Sequence, residues 1–147
     1  MKFVAHRGNT TGPKPAVEND PIYVRQALDA GFDAEVDVWS VNGNYILGHD
    51  SPDFFVKESY LEDKRLWCHA KNLEALKRML LNKKIHCFWH GTDDYTITSK
   101  GHIWTYPNKD TTSNSVIVVT GNKIKQSYKK TYGICGDYVL AWSKELK

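Results

Sequence analysis

Residues 32–41 read FDAEVDVWSV, the stretch that most restricts what this chain can become. Phe32, Ala34, Val36 and Val38 fall at alternate positions, so the run predicts a β-strand with one face in a core. Glu35 and Asp37 then share the opposite face, two residues apart. The Asn42-Gly43 turn and the run NYILGHD predict a hairpin partner for this strand. Two carboxylates pointing the same way repel each other unless Lys, Arg or a metal cation relieves them. The pair therefore reads either as the polar face of a solvated strand or as ligands for one hard divalent cation.

The rest of the chain supplies more strands and a few helices. KFVAHRGN is a short apolar run stopped by TTGPKP, which puts His6 and Arg7 at the strand's C-terminal mouth. Taken alone, that pair is ambiguous, since a capping histidine beside a solvated arginine would look the same. Pro21 and Gly31 bracket a helix in which Ile22, Tyr23, Ala27 and Ala30 lie near helical spacing. RLWCHAK predicts a second buried strand, and NLEALKRMLLNK a helix with Asn72 as N-cap and Leu73, Leu76 and Leu80 as its apolar stripe. IHCFWH reads as a strand, the segment to Pro107 as a hairpin turning at Lys100-Gly101, and SVIVVTG as a strand apolar on both faces. NKIKQSYKKTY is a loop or a short exposed helix, and YGICGDYVLAW a last strand with a short terminal element. Strands alternating with helices predict a parallel α/β domain whose strand ends share one mouth.

At 147 residues the chain fits one domain, residues 1–147, with a real core. A net charge of +3 with dispersed lysines gives no nucleic-acid stripe, while a small anionic substrate remains compatible. Cys68, Cys87 and Cys135 are odd in number and lack CxxC spacing, which argues against a disulfide framework or zinc knuckle and for free thiols in a reducing compartment. No signal-peptide core follows Met1-Lys2 and no apolar stretch spans a bilayer, so a cytoplasmic location is expected.

Four patches collect at strand ends or on one strand face: His6-Arg7, Glu35 with Asp37, His49-Asp50, and His69 with Lys71; Glu18-Asn19 lies between the first strand and its helix. His6 and His49 form the acid–base pair, since imidazoles exchange protons near neutral pH. Arg7 and Lys71 would offset charge on phosphoryl oxygens.

AHRGN, VEND, ALDAGFDAEVDVW and ILGHD, in that order, resemble the glycerophosphodiester phosphodiesterase family, relatives of the phosphatidylinositol phospholipase C barrel enzymes. The resemblance covers residues 3–50, about a third of the chain. It implies a TIM-type barrel, here reduced or incomplete with few helices, that hydrolyses small glycerophosphodiester-like substrates with a divalent cation. It implies His6 and His49 as catalytic histidines, Arg7 as phosphate ligand, Glu35 and Asp37 as metal ligands, and Glu18 as a supporting glutamate. WCHAK places His69 where the family carries a metal-binding glutamate and keeps Lys71; GICGDYV keeps Asp137 but puts Gly136 in place of a hydroxyl residue. Mg²⁺ or Ca²⁺ is the expected cation, ahead of Mn²⁺ or Zn²⁺, although a histidine nitrogen at residue 69 favours the latter pair. A full barrel takes about 250 residues, so the helical jacket must be thin, and a homodimer could cover the apolar strand faces it leaves.

HCFWHGTDDYTITSKGHIWTYP has no counterpart in that family. Its simpler reading is a solvated hairpin with cross-strand aromatic pairs, and its other reading a substrate wall in which Trp89, Trp104 and Tyr106 contact a sugar or base. Against the hydrolase stand two alternatives: a non-catalytic module that binds a sugar phosphate or phosphodiester, and a lyase that stops at a cyclic phosphate.

Overall fold

The computed structural model describes residues 1–146. In chain order the elements are β1 (Lys2–His6), α1 (Pro21–Asp29), β2 (Asp33–Val41), β3 (Asn44–Leu47), β4 (Phe54–Val56), α2 (Glu58–Leu61), β5 (Leu66–Ala70), α3 (Leu73–Leu81), β6 (Cys87–Phe88), β7 (Tyr95–Ile97), β8 (Ile103–Thr105), β9 (Ser115–Val118), a 3₁₀ turn (Gln126–Lys130), β10 (Gly133–Gly136) and α4 (Val139–Glu145). Seven strands lie parallel in the order β6-β5-β2-β1-β10-β9-β8. β3 and β4 add an antiparallel hairpin to the far half of β2, and β7 pairs antiparallel with β8.

This mixed sheet curls into a half-barrel and is not the TIM-type barrel that the resemblance implies. Its ladders form an open path, and among the described residues none joins β6 to β7 or β8. Hydrogen bonds outside any ladder approach that gap instead, such as Ser99 N–H to the Cys87 carbonyl at 2.8 Å and Cys87 N–H to Ser99 Oγ at 2.9 Å. The reason is chain length. An eightfold barrel needs a helix after each strand, whereas here the links from β8 to β9 and from β9 to β10 carry no α-helix. Among the described residues, no helix is long and apolar enough to cross a membrane.

Strand parity divides the core in two. Outward-facing Ala5, Ala34, Val36, Val38, Leu66, Cys68, Ile117 and Ile134 pack against the helices. Inward-facing Val4, Trp67, Phe88, Trp104, Val116 and Cys135 fill the curl. The helix ends follow the expected signals: Asp20 accepts from Ile22 N–H at 2.8 Å before Pro21, and Asn72 accepts from Ala75 N–H at 3.0 Å. Their buried faces follow the expected stripes only in part, through Ala27 and the partly buried Leu76. α1 buries Val24, Ala27 and Leu28, and α3 buries Ala75 and Met79 while Leu73 and Leu80 are exposed. Gly136 is fixed by space, because a Cβ there would meet Trp142 Cη2 at 2.5 Å and the Val119 carbonyl at 2.7 Å. All three cysteines are buried free thiols.

The opposite end of the curl from the strand C-termini is closed by His86, packed at a tilt against Trp67 with ring centroids 4.1 Å apart and hydrogen-bonded to Thr98 Oγ1 at 2.8 Å. Burial, then the nearby His102 and Lys100, push its pKa down to about 4. The unfolded chain, with a histidine near about 6.5, binds that proton first, so stability falls as pH drops from about 6.5 to about 4. The loss reaches about 3 kcal/mol at 1.36 kcal/mol per unit. Urea unfolding at pH 7 and pH 4.5 measures it, and His86→Gln is expected to flatten the dependence; an equal fall in that variant would assign the loss elsewhere.

Candidate active site

β1, β2 and β5 end side by side, and their parity aims His6, Glu35, Asp37 and His69 into the mouth of the curl. His6 is in register with Glu35, and Asp37 with His69. Glu35 and Asp37 are 3% and 1% exposed, so the solvated-strand reading of this pair fails.

Cationic partners relieve the two acids, as their repulsion requires. His69 Nδ1 lies 3.2 Å from Asp37 Oδ1 and 3.7 Å from Glu35 Oε1, and its Nε2 donates to the His90 carbonyl at 2.9 Å. Both ring nitrogens face acceptors, so the ring is an imidazolium in this arrangement. Burial opposes that charge, but the hydrogen bonds to Asp37 and Glu35 outweigh it and raise the pKa to about 9. Arg7 Nε lies 3.2 Å and Lys71 Nζ 3.8 Å from Asp37, the arginine contact lacking hydrogen-bond geometry. Asn19, fully buried, donates from Nδ2 to Asp37 at 3.0 Å and accepts from the Asp37 N–H at 2.9 Å. Burial alone would raise the Asp37 pKa; His69, Asn19 and Arg7 instead hold it down at about 2.

Arg7 adopts a left-handed backbone (φ 53°) followed by Gly8 at φ 88°. This tight turn lets the Arg7 carbonyl accept from Asn19 N–H at 3.1 Å while Nη1 donates to Glu18 at 3.0 Å. A Cβ on Gly8 would come within 3.0 Å of the Tyr23 ring, so the motif's glycine is required on both counts.

Two histidine–aspartate pairs flank the cluster. His6 Nδ1 is 2.9 Å from Asp137 Oδ1 and its Nε2 is 4.0 Å from Glu35. Burial disfavours the His6 cation, but Asp137 and then Glu35 outweigh it and raise the pKa. His49 Nδ1 is 2.8 Å from Asp50, on a more exposed rim. In each neutral histidine the carboxylate fixes the proton on Nδ1 and leaves Nε2 as the base.

His6, Arg7, Glu35, Asp37, His49 and His69 line one cleft of about 230 Å³. Glu18, Asp50 and Asp137 line an adjoining polar recess of about 540 Å³ that His6, Arg7 and His49 also border. Asn19 lines that recess and also binds Asp37, while Lys71 approaches Asp37 without lining either space. Donor atoms of Glu35, Asp37 and His69 lie within 4.8 Å of one another. Donors on opposite sides of an ion held at about 2.0–2.5 Å are about 4–5 Å apart, so the three fit one divalent cation once Nδ1 of His69 gives up its proton.

Two contributors, Asn9 and His90, carry no assigned role in the sequence reading, and two more, Trp104 and Tyr106, only that of a substrate wall in one of its two readings. Asn9, fully buried, donates to Glu18 at 2.8 Å and Asp137 at 2.9 Å and so ties two parts of the site together. It is the last letter of AHRGN, which was the available signal. His90 acts through its carbonyl, and Trp104 and Tyr106 line the cleft. The hairpin is therefore not simply solvated, although Trp89 is exposed and Asp94 pairs with Lys109 on the surface. Compared with protein-family models, with curated proteins and with solved structures, the chain finds no match.

Proposed function

We propose that the chain is a metal-dependent phosphodiester hydrolase acting on a small glycerophosphodiester-like substrate, with His6 and His49 as its acid–base pair. The observation that carries this reading is the pair of histidine–aspartate dyads bordering one cleft that a carboxylate–histidine cluster and an arginine also line. His6, its Nδ1–H held by Asp137, takes the proton of the attacking water on Nε2. His49, which borders the same cleft, gives a proton to the leaving oxygen. Arg7 stabilises the negative charge of the phosphoryl group. A divalent cation on Glu35, Asp37 and His69 would offset the same charge more strongly. One nitrogen among carboxylate oxygens suits Mn²⁺ or Zn²⁺ better than Ca²⁺. Buried free thiols agree with a reducing, cytoplasmic setting.

A phospho-ligand binding module is the second reading. One observation favours it: His69, Arg7 and Lys71 already neutralise Glu35 and Asp37 without an ion. The two readings separate on hydrolysis of a chromogenic bis-aryl phosphate and of glycerophosphodiesters by metal-stripped protein, with Mg²⁺, Ca²⁺, Mn²⁺ and Zn²⁺ added back. Metal-dependent turnover that disappears in His49→Ala is expected. No turnover with any cation, despite measurable binding of a glycerophosphodiester, would make the protein a binding module.

A further inference from the structure

The cleft's two sides differ in chemistry. On one side stand Glu18, Ser51, Asp50 and Asp53, a polar rim. On the other stand Trp104, Tyr106, Pro107 and Val118. His6, Arg7 and His49 border both spaces, so a phosphate held there would send its two ester arms to unlike walls.

The aromatic side is fixed in place. Trp104 is 4% exposed, packed on Phe88 at 4.5 Å and Trp67 at 5.9 Å. Tyr106 stands two residues further along, at the same parity, and leaves 40% of its surface open. Its ring lies 5.8 Å from that of His90, and its N–H donates to the Asp94 carbonyl at 2.9 Å. The His90 carbonyl meanwhile holds His69. One loop thus locates both the ion cluster and the wall beside it.

An open phenol ring in the same wall as a buried indole, in a cleft shared with His6, Arg7 and His49, is built to stack a planar group. Its size limits the choice. The space of about 230 Å³ is smaller than the roughly 300–1,000 Å³ that takes a drug-sized ligand, so it admits a single ring rather than long acyl chains.

We propose that the cleft takes an unsymmetrical phosphodiester in which one arm is a single aromatic or heteroaromatic ring stacked on Tyr106, and the other a small polar alcohol on the acidic rim. This rests on the phosphodiester reading, and Tyr106 becomes its specificity-determining residue. The probes are benzyl glycerol phosphate diester and methyl glycerol phosphate diester, two alkyl esters that differ in the ring. The wild type is expected to favour the benzyl diester about tenfold in kcat/KM, a ratio retained in Tyr106→Phe and reduced to about one in Tyr106→Ala. An equal ratio in wild type and Tyr106→Ala, or no preference in the wild type, overturns the assignment while leaving hydrolysis standing. If neither diester is cleaved, NMR titration decides. Tenfold tighter binding of the benzyl diester, lost in Tyr106→Ala, keeps the wall and removes the hydrolase; equal binding, or none, removes the wall.

Discussion

Alanine at residue 6 is expected to slow phosphodiester cleavage by about 10²–10⁴-fold, the usual contribution of one positioned acid–base group. The fold should survive, because His6 is part-exposed and Asp137 keeps its bond to Asn9 at 2.9 Å. Asp137→Asn tests the same step by a different route. The neutral amide takes away the negative charge that stabilises the imidazolium formed when His6 accepts the proton, although its Oδ1 still accepts from His6 Nδ1 and Asn9 Nδ2. The two residues act as a unit, so the double variant should be hardly slower than His6→Ala alone. The measurement is kcat/KM on one diester for all three, beside thermal melts. A Asp137→Asn enzyme as fast as wild type would remove His6 from the base role, whatever His6→Ala did.

Removing the Asp37 carboxylate is expected to cost about 3–5 kcal/mol of folding stability, the range for breaking a buried ion pair on one side. Asp37→Ala leaves Arg7, His69 and Lys71 short of their shared anion and strands the Asn19 Nδ2, while the backbone N–H of residue 37 still donates to Asn19 Oδ1. For a domain this size the fall in Tm is roughly 10 °C. The acid limb carries a second signature. The Asp37 pKa is depressed to about 2, so its stabilisation is present above the unfolded value near about 3.9 and is lost as pH falls towards 2. His69 works in the opposite direction, stabilising fully below about 6.5 and losing its contribution as pH rises towards 9. Melts of wild type and variant at pH 7, 4 and 2.5 should converge at the lowest pH; a gap below 1 kcal/mol at pH 7 would show that the cations find other partners.

The inner face of β2 was legible because a two-residue period has only one solution once Ala34, Val36 and Val38 are placed outward. The outer helices were not. In α3 the leucines and the Ala75–Met79 pair form neighbouring stripes, and periodicity does not say which one meets the sheet. The small Ala75 wins, allowing close approach, and Leu73 and Leu80 are left outside. Barrel closure was misjudged because a count of strands says nothing about the ladder that must form between the first and last of them. At the site, residue types announced Glu35, Asp37 and the histidines, whereas nothing in the sequence paired His6 with Asp137, 131 residues away, and the resemblance marked Asp137 only as a kept residue. The hold of His90 on His69 runs through a backbone carbonyl, which every residue has and no sequence advertises.

Asp33, Glu35 and Asp37 occupy the inner face of β2 at three depths, the lowest bonded to Lys2 and the Trp67 indole, both at 3.1 Å. The same strand turns Ala34, Val36 and Val38 towards α1 and α3. A one-residue slip of β2 against β1 would therefore drive three carboxylates into an apolar layer and strand Lys2, Arg7 and His69 at once. The acids that equip the mouth of this curl also proofread its assembly, since only one alignment of the strand gives every charge a partner.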